Sequence, residues 1–173
     1  MAAGDVKKVY AASANQTVTN LHSLASSQTW LGGWESALID NTTNLYLDYR
    51  ITAKLTVAAA NNQAGELRMY LIGMLDDSTW PDVFDGTESA ESFTDTEMRD
   101  AIARFAAVSI CDNSASDVYY LECPSVAAVF GGAVPSKFVV FITINPTTTT
   151  TAGLAASGNQ VTIKGSYENV AAA

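Results

Sequence analysis

The chain has 173 residues, enough for one domain that buries roughly 70% of its unfolded surface without a metal or disulfide staple. Its net charge is −9 with nine basic residues, and only Lys7 and Lys8 stand side by side, which excludes a nucleic-acid groove built on clustered Lys and Arg. No apolar run reaches the ~20 residues of a membrane helix, and no hydrophobic signal core follows Met1, so the sequence reads as a protein made in a cytoplasm with no membrane partner. The charged fraction, 16% against about 25% in ordinary soluble domains, suits a subunit packed against other subunits and equally a neutral, Thr-rich β protein.

Residues 1–28 read as a partly extended N-terminal arm, rich in Ala, Ser, Thr and Asn, with one alternating piece over Gln16 to Leu21. From Thr29 the run T-W-L-G-G-W-E-S-A-L-I-D places Trp30, Gly32 and Trp34 on one parity, and its paired glycines predict a bulge or a close backbone approach inside a strand. Asp40 to Thr43 then turns the chain. From Asn44 to Val57 the pattern is strictly period two, with Leu45, Leu47, Tyr49, Ile51, Ala53, Leu55 and Val57 on one side. A strand of that length spans roughly 45 Å, beyond the usual ~17–20 Å, and predicts a large sheet or a neighbouring subunit beside it.

After a loop over residues 58–65, Glu66 to Leu75 is the next strand. Leu67, Met69, Leu71 and Leu75 share one face, while Ile72 and Met74 make the other face apolar too, as expected of a strand covered on both sides. Asp76 to Asp95 is a long acidic surface loop. Within it Thr94-Asp95-Thr96-Glu97 has the form of a capping box, which predicts a short helix over Asp95 to Arg104 and a strand from Phe105 to Cys111. Further strands are expected at Val118 to Cys123, Lys137 to Asn145 (apolar on both parities, hence central) and Gln160 to Asn169, with Val161, Ile163 and Tyr167 inward. Between them lie the apolar connector Ser125 to Phe130, the turn Gly131-Gly132, and a threonine run at 147–151 that reads as a loop after Pro146. About eight antiparallel strands with one short helical insertion predict an all-β fold, an antiparallel β-sandwich of jelly-roll type over residues 29–170, with 171–173 as a tail. The acidic loop at 76–95 and the connector at 125–136 are the expected crossovers.

The sequence offers little chemistry. His22 is the one histidine, which excludes multi-histidine metal sites and leaves any Ser-His-Asp scheme resting on a residue of the arm. Asp76, Asp77, Asp82 and Asp85 are oxygen donors suited to calcium, but their spacing is not that of an EF-hand and a solvated loop is the simpler reading. Two carboxylates of this loop flanking a sugar, with Trp80 as a platform, would make a glycosidase, yet no spacing singles out a pair. No catalytic, cofactor-binding or metal-binding residue is assigned. Cys111 and Cys123 bracket what reads as a hairpin turn, too many rungs apart to bridge, and so as two buried thiols. Asn15-Gln16-Thr17 and Asn41-Thr42-Thr43 match the glycosylation pattern, and without a signal peptide both read as chance.

Three stretches carry a resemblance: Trp30 to Ser36 followed by Asp40-Asn41-Thr42-Thr43; Trp80 to Thr87; and Phe130 to Pro135 leading into Phe138 to Phe141. In this order and separation they resemble the jelly-roll decoration, or cement, proteins of tailed bacteriophages, over about Thr29 to Tyr167. The resemblance implies a non-enzymatic virion protein, made in the host cytoplasm, that binds the capsid outer surface as a homodimer or homotrimer and bridges major capsid protein subunits. An acidic chain suits the outer surface better than the DNA-facing one. The alternative is a carbohydrate-binding or host-adhesion module, since jelly rolls also serve as lectin domains; it expects exposed tryptophans grouped at one end, Trp80 among them.

Overall fold

The computed structural model describes residues 6–58, 65–112, 115–145 and 153–170. In chain order the strands are β1 (Val6–Tyr10), β2 (Ala14–Asn15), β3 (Gly32–Glu35), β4 (Ile39–Asp40), β5 (Asp48–Thr56) and β6 (Gly65–Gly73). β7 (Ser89–Ser92), α1 (Thr96–Ile102), β8 (Arg104–Cys111), β9 (Val118–Cys123), α2 (Val126–Val129), β10 (Lys137–Asn145) and β11 (Gln160–Val170) complete the described elements. One sheet has the order β1-β11-β5-β9 with β2 also on β11; the other has β7-β3-β10-β6-β8 with β4 on β10.

Eight of these strands, β1, β3, β5, β6, β8, β9, β10 and β11, show a simple rule. The first pairs with the last, the second with the seventh, the third with the sixth and the fourth with the fifth, all antiparallel. The chain is therefore one long hairpin rolled into two sheets, which is the jelly-roll sandwich the strand count predicted. β9 and β10 have the expected bounds, β8 and β11 each differ from expectation by one residue at an end, and β6 starts one residue and ends two residues earlier than expected. The residues 58–65 loop is described only at its ends, and the threonine run 147–151 and the tail 171–173 lie outside the described residues.

The N-terminal segment is not an arm. Val6 to Tyr10 pair with Val170 to Ser166, Ala14 and Asn15 pair with Ile163 and Thr162, and Leu21 and Leu24 are buried in the core. These residues belong to the sandwich, and the alternating piece at 16–21 is not a strand. Exposure of nearly all of β1 removes the apolar alternation by which a strand is recognised.

The long strand also needs correction. β5 begins at Asp48, and Leu45 and Leu47 point to solvent, 69% and 56% exposed. The side chain of Asn41 closes a turn ahead of it: its Oδ1 accepts from the Tyr46 amide at 2.8 Å and its Nδ2 donates to the Tyr46 carbonyl at 3.0 Å. Leu45 lies in the left-handed region, φ 50°. The sequence keeps alternating through this turn, but the backbone does not.

Alternation inside β5 and β6 does what it predicts. Tyr49, Ile51, Ala53 and Leu55 from one sheet meet Leu67, Met69 and Leu71 from the other, with Phe138, Val140, Ile142 and Ile144 of β10 and the fully buried Trp34 of β3. Gly33 is the close approach its pair of glycines predicted: a Cβ there would lie 2.5 Å from the Ile142 carbonyl oxygen and 2.4 Å from the Phe141 ring. Between β3 and β4 the ladder is bridged by Ser36, whose amide donates to the Val140 carbonyl and whose Oγ accepts from the Val140 amide.

The acidic loop at 76–95 does not cross between sheets. It joins β6 to β8, neighbours in one sheet, and on the way runs across that sheet's outer face to set β7 against β3 at the far edge. Its Phe84 and Phe93 pack edge-on against Phe141, with ring centroids 5.7 and 4.9 Å away. A second core results, over Tyr70, Ile72, Val139 and Phe141, which is why β6 and β10 are apolar on both parities. The connector at 125–136 does cross between sheets, carrying α2. At α1 the cap is Asp95, not Thr94: Asp95 Oδ1 accepts from the Met98 amide at 2.7 Å. Cys111 and Cys123 are both buried, as expected, although β8 and β9 lie in different sheets and form no hairpin ladder.

Candidate interaction surfaces

At the end of the sandwich where β5 begins, the turn 41–47 holds Leu45 and Leu47 outward. Its brace is Asn41, 7% exposed, whose Oδ1 takes a second hydrogen bond from the Tyr49 hydroxyl at 2.8 Å. Burial pushes the Tyr49 phenol up to about 12, so it remains a donor at any ordinary pH. The Tyr46 ring stacks on Tyr167, centroids 6.0 Å apart, and the Leu47 amide donates to the Ser166 carbonyl. β11 runs past the start of β5, since Ser166 pairs with Asp48 and the residues beyond it pair with β1. Val6 and Val170 on this ribbon and Leu75 after β6 are exposed at the same end. A fixed turn that displays two leucines is suited to being covered by another protein, because a rigid apolar projection loses little conformational entropy on docking.

The acids of the 76–95 loop are mostly occupied in shaping it. Asp76 accepts from the amides of Ser78 and Thr79, which holds its carboxyl down at about 2. Asp82 takes the Thr94 amide and hydroxyl, Asp85 the Thr87 amide, and Glu88 the Trp34 indole N–H and the Asn20 amide. Each is a local turn or tie, and among the described residues no three His, Cys, Asp or Glu side chains are grouped to hold a metal ion. The tryptophans are not a group of exposed platforms. Trp34 is buried in the core, Trp80 is half-buried against Gly86, and Trp30 lies under the Arg68 guanidinium, 3.8 Å from its ring centre. His22 meets the Asn159 side chain through Nδ1 at 3.2 Å and lines an open cleft of about 860 Å³ between residues 19–29 and β7.

Glu35 is a residue the sequence reading passed over. It stands on the outer side of β3, beneath the loop, with no solvent exposure. Its Oε1 accepts from the Gly86 amide at 2.7 Å and the Asp85 amide at 3.3 Å, while Oε2 has no hydrogen-bond partner. Burial, and to a lesser degree the nearby charges of Asp85 and Glu91, push its carboxyl up to about 7 against those two hydrogen bonds. A glutamate in a short run flanked by Trp34 and Ser36 gives no sign of burial by residue type. The available signal was its parity, opposite to Trp34, on a strand whose neighbours are apolar on both faces.

The outer face of the other sheet carries Lys8, Arg50, Lys54 and Lys164. The ammonium groups of Lys8 and Lys164 lie 5.6 and 5.5 Å from the centre of the Tyr10 ring, beside a groove of about 490 Å³. Arg50 pairs with Glu122 across β5 and β9 at 2.6 Å.

No protein-family model, curated protein or solved structure matches the chain. No helix among the described residues is long and apolar enough to cross a membrane.

Proposed function

We propose that the chain is a non-enzymatic structural subunit of a virion, which binds the outside of a phage capsid and bridges major capsid protein subunits. The resemblance to decoration proteins supplies the partner. The observation that supports the reading is the braced turn 41–47, which spends a buried asparagine and tyrosine on keeping Leu45 and Leu47 in solvent. Isolated exposed leucines are ordinary, but two on one fixed turn, with Leu75, Val6 and Val170 at the same end, make a surface for a protein partner. Such a subunit stabilises a shell by mass action: binding the assembled lattice and not the free subunits adds about 2.7 kcal/mol per site at a hundredfold excess over Kd. Repetition over many sites multiplies the effect.

Cosedimentation of the purified chain with assembled phage shells tests this, with light scattering to distinguish monomer, dimer and trimer. Saturable binding that raises the shell Tm, and is lost in Leu45→Ser/Leu47→Ser, is the expected result. A chain that leaves shells unbound and their Tm unchanged refutes it. The second reading, a carbohydrate-binding or adhesion module, is favoured by the groove beside Tyr10, where an aromatic ring lies near two ammonium groups. It requires a glycan-array signal that Tyr10→Ala removes.

A further inference from the structure

Glu35 places a titratable group where the 82–93 stretch covers the outer face of the sheet. The cover is the stretch 82–93, held by the ladder of β7 on β3, by apolar contacts from Phe84 and Phe93 to Phe141, and by polar ones at the turn Asp85-Gly86. The Gly86 carbonyl accepts from the Leu38 amide, and the Phe93 amide donates to the Leu31 carbonyl, so the same stretch is sewn to the strand edge on both sides of Glu35. Of the elements packed on Glu35, the loop brings Asp85 and β7 brings Glu91, both acidic. β10 brings Phe141, which is opposite Glu35 in the ladder, and no charge. Glu88 is nearby in sequence on the cover, but its carboxylate is turned to Trp34 and Asn20. No cation is among the charges acting on Glu35, and its free oxygen, Oε2, faces neither water nor a donor.

We infer that Glu35 is the catch of an acid-tightened flap: the stretch 82–93 lies closed over the sheet while Glu35 is protonated, and loosens when Glu35 ionises. As a neutral acid Glu35 still accepts the Asp85 and Gly86 amides through Oε1, and its second oxygen carries a proton. As a carboxylate it leaves a bare charge on Oε2, with Asp85 and Glu91 repelling it. Water reaches that oxygen when the Asp85-Gly86 turn lifts, so ionisation and opening are linked.

The direction follows from the linkage. In the open flap Glu35 titrates near its ordinary 4.5, and in the closed flap near 7. Closure is therefore fully supported below about pH 4.5, weakens about tenfold per pH unit up to about 7, and levels off above, roughly 300-fold in all. A subunit built this way holds its loop tightest in acid and presents a looser acidic surface at neutral pH.

Amide hydrogen exchange, normalised to intrinsic rates between pH 4.5 and 8, tests it on the full chain. Protection at Gly86 and Phe93 should fall by up to a few hundredfold in the wild type and stay within about threefold in Glu35→Gln, with β5 amides as the reference. Equal pH dependence in wild type and variant, or none in the wild type, overturns the proposal. Should Glu35→Gln fail to fold, carboxyl-labelled glutamate NMR of the wild type decides. One of the seven glutamate signals must titrate near 7 in step with the loss of protection. All seven titrating below about 5 overturns the inference.

Discussion

Replacing Asn41 by alanine removes three hydrogen bonds at once: from the Tyr46 amide, to the Tyr46 carbonyl and from the Tyr49 hydroxyl, at 2.8, 3.0 and 2.8 Å. At about 1 kcal/mol for each, with the buried Tyr49 hydroxyl left unpaired, the loss is about 3 kcal/mol. In urea, with an m-value near 2 kcal/mol per molar, the midpoint falls by about 1.5 M. Asn41→Asp keeps the oxygen that serves Tyr46 and Tyr49 but sets a second acceptor oxygen against the Tyr46 carbonyl, so its cost exceeds the ~1 kcal/mol of the lost Nδ2 bond. Tyr49→Phe also costs about 1 kcal/mol, and combined with Asn41→Ala it adds less than its separate value, because the shared bond is lost once. A cost below about 1 kcal/mol for Asn41→Ala, or additivity with Tyr49→Phe, would refute the brace. Binding to shells supplies a second readout, since a collapsed turn no longer presents Leu45 and Leu47 as a fixed pair.

Gly33→Ala sets a methyl group 2.5 Å from the Ile142 carbonyl, which belongs to the backbone and has no rotamer by which to withdraw. A loss of about 3 kcal/mol or more in chemical denaturation is expected, against about 1 kcal/mol for Gly131→Ala, where space is open and φ is 80°. Phe141→Ala empties the centre of the second core between Phe84 and Phe93 and should cost 3–5 kcal/mol, by order of magnitude, with faster proteolysis in the 76–95 loop. Glu35→Gln should be nearly neutral at pH 4. Because the folded carboxyl titrates near 7 and the unfolded one near 4.5, the wild type loses stability as pH rises between these values. At pH 8 the variant should therefore be the more stable by up to about 3 kcal/mol in a urea titration.

The parts of the fold legible in the sequence are those where side-chain parity and backbone geometry coincide. Lys137 to Asn145 is apolar at every even position and, at Val139 and Phe141, on the other parity too, because both faces of β10 are covered. What covers it was not legible, since Phe84 and Phe93 sit in a stretch dominated by Asp, Glu, Ser and Thr. Val6 to Tyr10 was missed because a strand paired along a sheet edge and exposed on both faces needs no apolar alternation, only a neighbour. β7, with the sequence S-A-E-S, is the same case. Leu45 and Leu47 were placed inside by their spacing, and one hydrogen-bonding side chain, Asn41, overrules that spacing. Among candidate site residues, the loop acids were legible as a group, but their use as turn acceptors depends on partners two to twelve residues away or farther. Glu35 was marked only by its parity opposite Trp34, as its character comes from its surroundings.

The pairing of first strand with last has a consequence on the ribosome. β1 finds its hydrogen-bond partners only when Gln160 to Val170 has been made, roughly 150 residues later, and β11 also supplies the middle of that sheet between β1 and β5. At 5–20 residues per second, the N-terminal strand waits about 8–30 s with its backbone unpaired. A nascent chain stopped before Gln160 holds two halves of a sheet with no strand to join them. Folding is then a late, nearly single event, with no early intermediate in which the first sheet is closed. Crowded copies on a polysome carry matching open edges during that interval, so the last eleven residues of the sandwich decide whether neighbouring nascent chains finish as separate subunits or pair with one another.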